Sequence, residues 1–222
     1  MKPTGTSRFP EQLPNIIVGL LPWVILAIFW NDLPETIPTH WNIHGEADAF
    51  GSKTNAIVLP LVMAFNMLLF SVIPYMDPKA DKGKMERTAN RILVGTNLFL
   101  LILFIGTLMN MMGHDVAVDD WVVYGLLILF AVIGNIFGKI RQNYFMGIRT
   151  PWTLSSEQVW LKTHRVSGKV WFYASVLMLP MKMVLPKEIF WISMIAYILL
   201  IVIFPFWYSY SLYKEEQSQQ GA

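Results

Sequence analysis

The sequence predicts an all-α fold: a polytopic membrane helical bundle of about six transmembrane helices, with both termini cytoplasmic. Three observations support this prediction. Of the 222 residues, 55% are hydrophobic and only 14% are charged, whereas soluble domains are about one-quarter charged. Six apolar runs approach the roughly 20 residues that cross the hydrocarbon of a bilayer. Lysine and arginine concentrate in alternate connections between those runs.

The predicted spans follow one another along the chain, and each is rich in Leu, Ile, Val and Phe. They are residues 13–30, 56–75, 92–112, 121–138, 170–185 and 189–212. No Ala-x-Ala-like cleavage site follows the first run, so we expect an uncleaved first span. The fifth run is short, and Lys182 lies near its end, where the side chain can reach the membrane surface. Asparagines within the spans predict hydrogen bonds between helices, or polar groups lining a cavity: Asn66, Asn97, Asn110 and Asn135.

The distribution of positive charge predicts the orientation. All but three of the 17 Lys and Arg residues fall in the two tails or in the second and fourth connections; the exceptions are Lys53, Lys182 and Lys187. Because positive charge stays on the cytoplasmic side, we expect a multi-pass membrane protein, N-in and C-in. The basic connections suit membrane lipid as a partner, and they form no stripe that could track nucleic acid directly.

The chain is interpreted as a single membrane domain, 1–222, with an extracytoplasmic loop at 31–55. Pro34 and Pro38 favour extended backbone in this loop, and its glycines favour turns. Its acidic character would attract a cationic ligand. The candidate ligand-binding residues are His40, Trp41, Asn42, His44, Gly45 and Asp48.

A metal site is a weaker interpretation of the same loop. His40 and His44 would share one face of a helix, as a metal pair requires, but Pro38 and Gly45 argue against a helix there. His114, in the next predicted outer connection, is a third weak candidate. The chain has no cysteine, which excludes thiolate catalysis and cysteine-ligated zinc. We therefore expect neither a metal nor another cofactor.

Residues 139–169 form the predicted cytoplasmic signature loop. Gly147 is expected to end the fourth helix in a left-handed conformation. Ser155 and Gln158 have the spacing of a capping box, which predicts a short interfacial helix at about 156–166 feeding the fifth span. The Ser and His residues of the loop do not form a nucleophile elbow, so we predict no catalytic residue and no enzyme.

Residues 134–171, GNIFGKIRQNYFMGIRTPWTLSSEQVWLKTHRVSGKVW, resemble the signature of the SdpI-like family of bacterial membrane proteins. Residues 33–53, LPETIPTHWNIHGEADAFGSK, resemble the domain of unknown function that often precedes it. The matching positions are Asn143, Gly147, Arg149, Thr150, Pro151, Trp152, Thr153, Leu154, Glu157 and Trp160. All of these positions except Leu154 are candidate residues for contact with a partner. Arg141 is a further candidate, because its guanidinium could bind an anion.

The resemblance implies an immunity and signal-transduction protein that confers toxin resistance. Such a protein would meet a secreted antimicrobial peptide toxin outside the cell. It would draw an ArsR-type transcriptional repressor to the membrane inside. Two alternatives stay open from the residues: a small-solute or peptide transporter or exporter, and a metal-dependent membrane enzyme. The transporter is disfavoured because the sequence shows neither an internal repeat nor a charge at mid-membrane depth.

Overall fold

The computed structural model describes residues 9–42, 45–78 and 82–220. Helices occupy most of them: α1 (Phe9–Phe29), α2 (Val58–Met76), α3 (Lys82–Met111), α4 (Val118–Phe137), α5 (Pro151–Ser155), α6 (Glu157–Val184) and α7 (Lys187–Gln220). Two strands, β1 (Thr36–Trp41) and β2 (Ala47–Ser52), form an antiparallel hairpin. Short 3-10 turns, Trp30–Asp32 and Lys53–Ile57, flank it. The helical membrane fold predicted from the sequence is confirmed, and the hairpin is an element that the sequence analysis did not predict.

Five helices in the described part of the chain are long and apolar enough to cross a membrane: α1, α2, α3, α4 and α7. The predicted fifth span, 170–185, forms the second half of α6. The first half of α6 carries Lys162, Arg165 and Lys169, and α6 is not among the five. Six spans and cytoplasmic termini therefore stay predictions from hydropathy and charge.

Three local expectations differ from the structure. The expected interfacial helix and the fifth span are one continuous helix, α6. The fourth helix ends at Phe137, so the expectation that Gly147 caps it is wrong. The capping box predicted at Ser155 and Gln158 is also wrong, because the N-cap of α6 is Ser156; a capping box instead begins α5, at Thr150 and Thr153.

The chain divides into two compact units, whose boundaries fall within α2, α3 and α4. The first unit comprises residues 1–72 and 89–126. Its apolar core joins α1, α2, α3 and the hairpin through Leu26, Leu33, Ile37, Ala56, Met63, Leu101, Phe104 and Leu108. Ile37 of β1 has no exposed surface, so this side chain anchors the hairpin to the helices.

The second unit comprises residues 73–88 and 127–222. Helices α4 and α6 approach closely, because a Cβ on Gly134 would lie 2.7 Å from the carbonyl oxygen of Gly168. Hydrogen bonds join α6 to α7: the indole N–H of Trp171 donates to the Ile201 carbonyl at 2.9 Å. Just before α6 begins, the Ser156 hydroxyl donates to the Glu216 carboxylate at 3.0 Å, which ties this end of the helix to α7.

Candidate functional site

The hairpin is irregular at His40. Pro38 pairs with Phe50, His40 with Ala49 and Trp41 with Ala47, and the register slips on both sides of His40. Pro38 has no N–H to donate, and proline in a sheet is found at edges and bulges. A bulge re-aims the side chains next to it, which gives His40 and Trp41 their separate directions.

The polar side chains of β1 and β2 pair at the surface. The His40 Nδ1–H donates to Asp48 Oδ1 at 2.5 Å, and both side chains are exposed. Trp41 points towards α3, where its indole N–H donates to the Asn110 side-chain oxygen at 3.2 Å. This bond uses one of the four asparagines singled out from the sequence.

The tip of the hairpin is held by Asn42. Its amide donates to the Glu46 carboxylate at 3.0 Å and accepts from the Glu46 backbone N–H at 3.1 Å. Gly45 has a positive φ of 82°, and a Cβ there would lie 2.7 Å from Asp119 Oδ1. The tip is therefore packed against the first turn of α4. His44, the remaining predicted ligand-binding residue, lies outside the described residues.

The structure places His40 in a strand, where its side chain pairs with Asp48. Within residues 9–42, 45–78 and 82–220, no three His, Asp or Glu side chains come together as metal ligands. His114 lies in the exposed connection before α4.

An open cavity of about 300 Å³ lies beneath the hairpin within the first unit. Apolar side chains dominate its wall, including those of Ala56, Leu59, Phe104 and Met111. Trp41 is the member of the predicted ligand-binding set that lines it. A volume of this size is at the lower end of the range for small-ligand sites.

The signature segment, residues 139–160, is ordered around the amide of Asn143. Its nitrogen donates to the carbonyls of Arg141 and Met146, each at 2.9 Å. Its oxygen accepts from the backbone N–H groups of Phe145 and Met146, at 2.8 and 2.6 Å. Asn143 is only 3% exposed, so this side chain replaces the bonds that secondary structure would otherwise supply to a buried turn.

A buried pair of threonines begins α5. The Thr150 hydroxyl accepts from the Thr153 backbone N–H at 3.2 Å, and the Thr153 hydroxyl accepts from the Thr150 N–H at 2.9 Å. Pro151 occupies the first turn, where its missing N–H costs nothing. The Thr150 hydroxyl also lies 3.1 Å from that of Ser209 in α7, to which it donates. These bonds attach the signature segment to α7.

Trp160 and His164, one turn apart on α6, support the middle of the signature segment. The Trp160 indole N–H donates to the Ile140 carbonyl at 2.8 Å. The His164 Nε2 accepts from the Ile148 backbone N–H at 2.8 Å, and its Nδ1–H donates to the Trp160 carbonyl at 2.8 Å. Gly147 passes directly over this histidine, with φ 108°.

This arrangement requires neutral His164. Burial lowers the pKa of His164 from 6.5 to about 4, because a charged imidazole loses its hydration there. With Nδ1 protonated and Nε2 bare, both ring nitrogens have a partner of the right kind. From the sequence, His164 was interpreted only as a residue type found in hydrolases. Its spacing of four residues from Trp160, which places both side chains on one face of a helix, was the signal that could have indicated this role.

The other predicted partner-contact residues lie on the surface of the segment. Trp152 packs edge-on against Phe206 and tilted against Tyr210 of α7. The exposed Arg149 donates through Nη1 to the Tyr144 carbonyl at 2.5 Å. Arg141 is exposed, and so is Glu157 in the first turn of α6.

Sequence reasoning missed two further residues that hold the segment. The Gln142 amide donates to the carbonyls of Thr153 and Leu154, at 2.8 and 3.1 Å. Asp77, which follows α2, is buried and accepts from the Tyr144 backbone N–H at 2.6 Å. The only sequence feature that marked Asp77 was a carboxylate beside a proline at a helix end. Its hydrogen-bond partner, Tyr144, is 67 residues away, so no local pattern could indicate the contact.

Comparisons with known proteins match two segments of this chain to family models. The SdpI/YfhL family model matches residues 139–209, which contain the whole signature segment. In this segment the chain is similar to the SdpI family. A second model, DUF1648, a domain of unknown function, matches residues 17–64, which contain the hairpin. The two predicted sets of site residues thus lie within the two matched segments.

Similar proteins span two domains of life. The immunity protein SdpI of Bacillus subtilis is 28% identical over 205 residues, covering 92% of this chain and 97% of that protein. An uncharacterized protein of Archaeoglobus fulgidus is 36% identical over 70 residues, covering 32% of this chain and 38% of that protein. No solved structure matches the chain.

Proposed function

We propose that this protein is a non-enzymatic immunity protein of the bacterial cytoplasmic membrane that protects its cell from a secreted antimicrobial peptide. The observation that carries the proposal is the similarity to the immunity protein SdpI, which runs through 92% of this chain. The similarity includes both family segments, so it extends beyond shared membrane-helix composition.

The hairpin is the proposed surface for the peptide. Its exposed acidic residues are Glu35, which is 82% exposed, Glu46 and Asp48. Lys53 reduces this charge only through its contact with Glu35 at 2.6 Å. An acidic surface attracts cationic peptides and raises their rate of encounter.

The signature segment is the proposed cytoplasmic contact for an ArsR-type repressor. Arg149 and Trp152 lie at its surface, and Thr150 connects it to α7. A peptide outside would favour one arrangement of the bundle, and the repressor would bind that arrangement better.

Survival of a sensitive bacterium tests the immunity proposal. The gene is expressed in a strain without its own immunity protein, and the cells are challenged with purified secreted antimicrobial peptides. We expect a higher survival of expressing cells and a smaller depolarisation, read with a voltage-sensitive dye, for at least one peptide. Protection from none of them would refute the proposal.

The repressor step has a separate readout. A tagged ArsR-type repressor encoded beside the gene should move to the membrane fraction only when the protective peptide is present. Trp152→Ala should abolish this movement, whereas Trp207→Ala, at an exposed site on α7, should not. Equal membrane levels of the two variants are the control. If the protein protects the cell but the repressor does not move to the membrane, the immunity proposal stands and the signalling proposal is refuted.

A further inference from the structure

A small pocket opens in the second unit between the start of α3 and the beginning of the signature segment. Its floor is apolar and buried, and consists of Met85, Ile140 and Met146. Its rim carries three exposed cationic residues, Lys84, Lys139 and Arg141. The residues that line it include no acidic side chain. Cations from two parts of the chain therefore converge on one opening.

The backbone that carries two of these cations is fixed by the fold. The Lys139 N–H donates to the Ile136 carbonyl at 2.8 Å, and the Ile140 N–H to the Phe137 carbonyl at 3.1 Å. Asn143 binds the carbonyl of Arg141, and Trp160 binds that of Ile140. The chain thus holds Lys139 and Arg141 at the rim of one pocket, where two neighbouring cations favour a bound anion.

The length of α3 places the pocket at the level of lipid headgroups. Its 30 residues extend about 45 Å at 1.5 Å per residue. A bilayer with its headgroups is about 40–45 Å thick. If α3 spans the membrane, its first turns, which carry Lys84, Met85 and Thr88, therefore lie in the headgroup layer.

We propose that this basic pocket binds the phosphate group of an anionic lipid headgroup. Arg141 can engage two phosphate oxygens at once, while Lys84 and Lys139 supply point charges from either wall. The apolar floor suits the glycerol end of a lipid better than a hydrated free ion. The proposal assigns to Arg141 a ligand other than a protein partner, and it is independent of the immunity function.

Lipid retention by the purified full-length protein provides the test. The protein is exchanged into nanodiscs of phosphatidylglycerol and phosphatidylcholine, then released and analysed by native mass spectrometry. We expect one phosphatidylglycerol to be retained in preference. The double variant Lys139→Gln/Arg141→Gln should weaken its retention about tenfold or more, given the contribution of each cation near an anionic surface.

A matched double variant controls for general attraction. Arg165→Gln/Lys169→Gln removes the same charge from exposed positions of α6 outside the pocket, and should retain the lipid. An equal loss of phosphatidylglycerol retention in both double variants would overturn the proposal. Lys84→Gln, on the other wall, should weaken retention even if the first double variant fails to fold. Inorganic phosphate is added as a competitor, and its binding at the same affinity as the lipid would identify a free-phosphate site instead.

Discussion

The hairpin and the signature segment use polar residues in opposite ways. In the hairpin, His40 and Asp48 pair with each other in contact with solvent, and Asn42 holds an exposed tip. In the signature segment, Asn143, Thr153 and their neighbours are buried and bind backbone groups. The two regions contain similar residue types, but burial decides what those residues do.

This difference separates residues that fold a region from residues that are available to a ligand. A buried polar side chain that satisfies backbone groups is costly to remove, because the groups left behind have no water. An exposed pair contributes little to stability, since water replaces its bonds. Substitutions of the buried polar residues in the signature segment should therefore mainly affect stability, whereas substitutions of the exposed pairs in the hairpin should mainly affect function.

Gly147→Ala should give the largest loss of stability. Its φ of 108° suits glycine, and a Cβ would lie 2.4 Å from His164 Nε2. Backbone strain and the displacement of a buried ring together should cost about 4 kcal/mol. Gly113→Ala is the matched control, because Gly113 has φ 88° with nothing near its Cβ position. Thermal unfolding in detergent measures both, and an equal loss would show that the contact with His164 is unimportant.

Acid should weaken the signature segment through His164. The unfolded chain takes up the proton near pH 6.5, and the folded chain only near pH 4. Stability is therefore fully present above about pH 6.5 and falls as the pH drops towards 4, by about 3 kcal/mol at 1.36 kcal/mol per pH unit. The measurement is the difference in unfolding temperature between wild type and His164→Gln at each pH. A difference that does not change with pH would contradict the assignment.

The paired variants Asn143→Ala and Asn42→Ala compare the two regions directly. Removal of the Asn143 amide leaves two buried N–H groups without their acceptor, and should cost about 2 kcal/mol. Removal of the exposed Asn42 amide should cost about 0.5 kcal/mol. Asn143→Asp, which keeps the acceptor, should fall between them. Equal losses of unfolding temperature for the two alanine variants would remove the distinction between the regions.

The helices could be predicted from the sequence because hydropathy is a local property. Helices α2 and α4 begin and end within three residues of the predicted spans. The capping box could not be predicted, because Thr150 pairs with Thr153 and the usual motif has Glu or Gln at that position. The box at Thr150 also bonds to Ser209, a residue 59 positions away. The cap at Gly147 was wrongly predicted because the fourth helix already ends at Phe137; the positive φ of Gly147 belongs to the turn that passes over His164.

The hairpin shows a different limit. Strand β1 contains Pro38 and a bulge at His40. These features interrupt the alternation of apolar and polar residues by which a strand is recognised in a sequence. The extended backbone and the absence of a helix around His40 were predicted correctly from Pro38 and Gly45. The pairing with β2 and the burial of Ile37 depend on the helices below, and these are contacts distant in sequence.

Asp48→Asn should produce the smallest change in stability and a clear change in function. The pair of Asp48 with His40 is exposed, so its loss should alter the free energy of unfolding by less than about 0.5 kcal/mol. If the hairpin receives a cationic peptide, survival under peptide challenge should nevertheless fall. Asp115→Asn removes the same charge from the exposed connection before α4 and should leave survival unchanged. A similar fall in both variants would assign the effect to overall charge and not to the hairpin, because only Asp48 is held in place by His40.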